Sequence, residues 1–115
     1  MIKHINSVIM YSLDLDAAKA WYRDKLGFEV LYHVPEAFLS MTHPQMGRLD
    51  FHPTNNEAYV GKGPLPNYAV DDIAKVKGWL EGMDIKVSDI QQNNDSPRHA
   101  WFWDGEGNVL GLEEE

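Results

Sequence analysis

Arg48, Asp50 and His52 stand two residues apart, and so do His99, Trp101 and Trp103. On a strand, residues two apart point to the same face. One surface would then gather a guanidinium, a carboxylate and an imidazole, and another an imidazole and two indoles. Carboxylates and imidazoles ligate divalent ions and move protons near neutral pH. Indoles offer broad apolar faces to flat or cationic molecules. Ser7 near one end of the chain and Glu113 near the other add a hydroxyl and a second carboxylate. No activated nucleophile stands out. Ser7 lacks a Gly-x-Ser-x-Gly elbow, and Asp50 and His52 are too close along one strand for spacing to define a dyad, although a carboxylate flanked by aromatics can act as a general base. The chain has no cysteine, which excludes disulfides, thiolate catalysis and sulfur-based zinc sites.

The elements that must position these groups occur twice. An apolar strand from Ile5 to Tyr11 runs into Asp14, a helix follows, and Gly27 hands over to a strand from Phe28 to Val34. In the second half a strand from Leu65 to Val70 runs into Asp71-Asp72, a helix follows, and Gly82 hands over to a strand from Ile85 to Ile90. Asp14 and Asp71 are 57 residues apart, half the chain. Two copies are too few for a solenoid, so two half-cores that pair with each other are expected, with a pocket at their seam.

Asp14 or Asp16 can cap the first helix and Asp72 the second, because a short carboxylate accepts from the free amides of a first turn. Ala18, Trp21, Tyr22 and Leu26 form one helical stripe, and Ile73, Val76, Leu80 and Met83 another. Trp21 and Trp79 on these helices are expected in the core or at an interface. Strands are expected at residues 37–42 and 48–52 in the first half and 98–103 and 109–113 in the second, giving β-α-β-β-β each time. Residues 53–64 read as a linker. The run Asp104-Gly105-Glu106-Gly107-Asn108 reads as a hairpin turn, since no helix follows whose amides would hold an anion. His33 and His43, near strand ends, are expected at the surface. His4 should face away from Ser7.

With 43% hydrophobic and 24% charged residues the sequence is that of an ordinary folded domain. A formal charge of −8 without any basic run argues against nucleic acid and anionic membranes as partners. No stretch reaches the length of a membrane span or signal segment, so a soluble, cytoplasmic protein is the default expectation.

Trp21-Tyr22 ahead of Leu26-Gly27-Phe28, and the turn at 104–108 ahead of Val109-Leu110-Gly111-Leu112, together resemble the vicinal oxygen chelate superfamily, also called the glyoxalase, bleomycin-resistance and extradiol dioxygenase superfamily. The resemblance covers the whole chain. It implies an α+β fold for a single domain, 1–115, of two βαβββ modules (about 1–54 and 65–115) forming a curved half-barrel sheet with helices outside. It also implies a homodimer, since members often pair.

In metal-using members each half supplies two ligands from the concave face. By position those places are Ser7, Asp50, Leu65 and Gly111. Leucine and glycine have no lone pair to offer, and a serine hydroxyl is a poor ligand for Zn, Ni or Fe. No cofactor is therefore expected. The alternative is one divalent metal ion at a displaced site, Asp50, His52, His99 and Glu113. In the family's register the concave face would carry Ser7, Ile9, Tyr11, Arg48, Asp50, His52, Asn67, Ala69, His99, Trp101 and Trp103, with Trp101 or Trp103 stacked on a small-molecule ligand. Trp101 and Trp103 could equally pack in the core or at a dimer interface. Three functions stay open: a metal-free small-molecule binding protein, a divalent-metal lyase, isomerase or dioxygenase with a displaced site, and an interaction domain with a vestigial cavity.

Overall fold

The computed structural model describes residues 1–115 as two helices and seven strands in two mixed sheets that do not close into a barrel. The chain divides into two compact units, Met1–Val60 and Gly61–Glu115. No helix is long and apolar enough to cross a membrane.

In the first unit the order is β1 (Val8–Ser12), α1 (Leu15–Leu26), β2 (Glu29–Val34), β3 (Phe38–His43) and β4 (Gly47–Pro53). The sheet order is β1-β4-β3-β2, with β1 parallel to β4 and the other pairs antiparallel. The Asp14 carboxylate caps α1 by accepting from the Ala17 amide at 3.1 Å. At the far end Gly27 takes φ 79°, and the Gly27 and Phe28 amides bond back to the Arg23 and Tyr22 carbonyls. Tyr22 is fully buried, its ring 4.8 Å from Phe51 and 5.5 Å from Phe28. Leu39, Met41 and Leu49 are buried with them. One sheet face is thus the helix side, and the alternate residues occupy the other face.

The second unit runs β5 (Asn67–Val70), α2 (Ile73–Glu81), β6 (His99–Trp103) and β7 (Val109–Glu114), with sheet order β5-β7-β6. Asp72 caps α2 through the Lys75 amide at 3.1 Å. Gly82 follows the helix in right-handed geometry, and the left-handed residue is Asp84, φ 60°. Ile73, Leu80, Ile85, Ala100, Phe102, Leu110 and Leu112 are buried and make the core of this unit. Arg98 holds Glu114 by two bonds of 3.0 and 2.8 Å, and Glu114 also accepts the Ile73 amide at 2.9 Å, so the first turn of α2 is tied to β7.

Two expectations need correction. The first strand begins at Val8 and not at Ile5, because its register sets Val8 against Leu49. Ile5 would then fall opposite Met46, inside the β3–β4 turn, with nothing to pair with. The expected strand from Ile85 to Ile90 is reduced to isolated bridges at Val87 and Gln91. There the Trp101 amide donates to the Ser88 hydroxyl at 2.8 Å, in place of a backbone carbonyl, which interrupts the ladder. Of the two places expected for Trp79, the core or an interface, its 55% exposure leaves the interface.

Candidate functional site on the sheet faces

The face of the first sheet turned away from α1 carries Ser7, Ile9 and Tyr11 beside Arg48, Asp50 and His52, in the register Ile9 to Asp50 and Tyr11 to His52. Ser40 of β3 is the Asp50 partner on the other flank, and Tyr32 of β2 lies beyond Ser40. Asp50 is the hub. Its carboxylate accepts from Arg48 Nε at 2.9 Å, Arg48 Nη2 at 3.2 Å, Ser7 Oγ at 2.9 Å and Ser40 Oγ. Burial alone would raise the Asp50 carboxyl, but the hydrogen bonds from Arg48, Ser40 and Ser7 outweigh it and hold the group below the usual carboxylate range. Arg48 rests above the Tyr32 ring, 5.8 Å from its centroid. Around this polar centre Ile9, Tyr11, Tyr32 and Val34 are all exposed. Tyr11 packs its ring 6.4 Å from His52 and 5.6 Å from Tyr59.

The corresponding face of the second sheet has two rows. Asn67, Gly111 and Trp101 form one, and Ala69, Glu113 and His99 the next. A cavity of about 290 Å³ is lined here by Leu65, Asn67, His99, Trp101 and Glu113. The Asn67 side chain lies over Gly111: a Cβ built there would sit 2.5 Å from Asn67 Oδ1. Trp103 has the Lys86 ammonium 4.8 Å from its ring centroid, so a cation of the protein itself already covers it. Trp101 stands edge-on to His99 at 5.3 Å.

These donor sets are poorly suited to a divalent ion. Of the four positions implied by the family, Leu65 and Gly111 have no donor, and Asp50 is committed to an arginine and two hydroxyls. A divalent ion at Asp50 would have to displace the guanidinium. Within neither unit are three or more His, Asp or Glu side chains gathered to hold an ion. The displaced set divides into a pair in each unit, Asp50 with His52 on β4, and His99 opposite Glu113 across β6 and β7. The residues do not fit the family's metal.

Sequence parity placed Arg48, Asp50 and His52 on one face and His99, Trp101 and Trp103 on one face, and both groupings hold, with Leu49, Phe51, Ala100 and Phe102 buried on the helix side. It missed Ser40 and Tyr32. The same alternation along β3 pointed to Ser40, since Leu39 and Met41 flank it. His43 is not a bare surface residue: its Nδ1 accepts the Gln45 and Met46 amides at 3.1 Å, organising the β3–β4 turn. His33 is half-buried, with Nδ1 3.3 Å from the Lys19 ammonium. The turn at 104–108 is structural, as expected. Asp104 Oδ1 accepts three amides, those of Glu106, Gly107 and Asn108, each at 2.9 Å.

Two capped helix-and-sheet units with polar clusters on the faces turned from their helices define a class of small α+β domain. A family model for the Glyoxalase/Bleomycin resistance protein/Dioxygenase superfamily matches residues 2–114, and the chain belongs to that superfamily. Among solved structures it is similar to an antibiotic binding protein from a Streptomyces species (24% identity, 98% of this chain and 96% of that one, TM-score 0.77). It is similar also to a lactoylglutathione lyase from Agrobacterium tumefaciens (24% identity, 98% and 94%, TM-score 0.71). A glyoxalase family protein from Enterococcus faecalis gives 24% identity, 97% and 98% coverage, and a TM-score of 0.78. At these identities the likeness shows the fold. A comparison with curated protein sequences finds no match.

Proposed function

We propose that this chain binds a small organic molecule on the sheet faces turned away from its helices, without the divalent metal that its family's enzymes use. One observation carries the reading: the single family ligand position that retains a good metal donor, Asp50, is saturated by Arg48, Ser7 and Ser40. A metal ligand must offer free lone pairs, whereas a hydrogen-bonded carboxylate–guanidinium pair serves to fix the orientation of a ligand. The exposed aromatic and aliphatic groups around it, Tyr11, Tyr32 and Ile9, suit burial of an apolar ligand surface. Likeness to an antibiotic binding protein supports a binding role, and likeness to a lactoylglutathione lyase keeps enzymatic chemistry as the rival. The residues we propose for ligand contact are Ser7, Tyr11, Arg48, Asp50 and His52 on the face of the first sheet, and Asn67, His99, Trp101 and Trp103 on the face of the second. Action as a homodimer in the cytoplasm is part of the same proposal. Calorimetric titration of metal-stripped protein with Zn, Ni and Mn tests it. No saturable binding in the micromolar range is expected. One ion per chain, lost on Asp50→Ala or His52→Ala, would restore the metal-enzyme reading.

A further inference from the structure

The second sheet carries a pocket whose polar groups are unspent. Trp101 Nε1–H, the Asn67 carboxamide and the Glu113 carboxylate make no hydrogen bond or ion pair within the protein. The Asp50 cluster of the first sheet, by contrast, is satisfied internally. Asn67 and Glu113 are exposed and His99 and Trp101 half-buried, so these groups are reachable from solvent and their bonding capacity is free for a ligand that enters the pocket.

What that occupant must offer follows from the lining. His99 Nδ1 lies 3.3 Å from the Pro97 carbonyl oxygen. A carbonyl only accepts, so Nδ1–H is the donor in that contact, and Nε2 is left without a partner in the protein. Glu113 adds two acceptor oxygens and Asn67 one. Glu113 also brings the only formal negative charge on the lining, and no arginine neutralises it. Arg98, its nearest in sequence, is held in a two-point pair by Glu114. The Asn67 and Leu65 side chains close over Gly111, and Trp101, which pairs with Gly111 from β6, forms one wall. About 290 Å³ suits a single or fused ring and not a large substrate.

We infer that this cavity, lined by Asn67, His99, Trp101 and Glu113, takes a flat organic cation whose charged N–H groups bond to Glu113 and whose ring lies against Trp101. The inference rests on the proposed small-molecule role and names the ligand chemistry for it. Charge-assisted N–H···O⁻ bonds to Glu113 supply orientation, and the indole favours a delocalised cation over a neutral ring.

The test uses benzamidinium and benzoate, which share a ring and a size but oppose each other in charge and hydrogen-bonding sense. Their titration is followed by ¹H–¹⁵N spectra of the whole protein. Benzamidinium should move the Trp101 indole N–H and the Glu113 amide signals saturably, Glu113→Gln should weaken it about tenfold, and benzoate should leave these signals in place. An unchanged melting temperature for Glu113→Gln confirms that the variant is folded. Equal or tighter response to benzoate, or no effect of Glu113→Gln, overturns the inference. So does silence toward both probes, while the wider binding role survives if other fragments perturb either sheet face. If a fragment library perturbs neither face, the binding role falls with it.

Discussion

At the scale of single residues, Asp50 decides most. Its position is one that the family's enzymes use for metal, yet its surroundings are those of an ion-pair hub with four donors. Replacing it by asparagine removes the charge that Arg48 faces and should cost about 1–3 kcal/mol at neutral pH, read from denaturant midpoints. The pH dependence has a definite sign. The folded Asp50 carboxyl lies below its ordinary value of 3.8, so its contribution is complete above that value and is lost as pH falls below it. Wild type should therefore lose stability below about pH 4 more steeply than Asp50→Asn; parallel acid curves would show that the pair is not stabilising. The face shared by Arg48, Asp50 and His52 was legible from alternation alone. The saturation of Asp50 was not, because Ser40 comes from another strand, and only the β3–β4 register brings it alongside.

At the scale of elements, the helices were the most legible, since cap, stripe and terminating glycine agree for α1 and the Asp72 cap fixes the start of α2. The segment after α2 was misjudged. Ile85 and Val87 alternate with polar residues as a strand would, but a hydroxyl that replaces a carbonyl in the ladder, as Ser88 does for Trp101, leaves no mark in the apolar pattern. The junction of α2 with β7 depends on Glu114, which hydrogen bonds from Arg98 and from the Ile73 amide pull down to about 2. The sign matches that of Asp50: the contribution is present above the ordinary value of 4.5 and disappears as pH falls toward 2. Glu114→Gln should raise amide exchange at Ile73 and through the first turn of α2 at neutral pH, leaving α1 unchanged. Exchange that rises equally in both helices would mean that the Glu114 contacts support global stability and not the α2 junction.

At the scale of the whole molecule, exposed apolar surface has to be accounted for. β2 is an edge strand of its sheet, and Val30, Leu31, Tyr32 and Val34 along it are all more than 40% exposed. An uncovered apolar edge favours association, and a homodimer that covers it is the expected state. Light scattering at tens of micromolar, about the range in which a modest interface holds, should give twice the chain mass for wild type and a monomer for Leu31→Lys. A wild-type monomer would leave the edge unexplained. The central claim is that this superfamily member binds a small molecule without a metal. The most direct measurement is a fragment titration of metal-stripped protein in excess chelator, followed residue by residue in ¹H–¹⁵N spectra. The account predicts saturable shifts for at least one fragment, confined to the faces that carry Arg48, Asp50 and His52 or Asn67, Trp101 and Glu113. Fragments that bind only after a divalent ion is restored would contradict it.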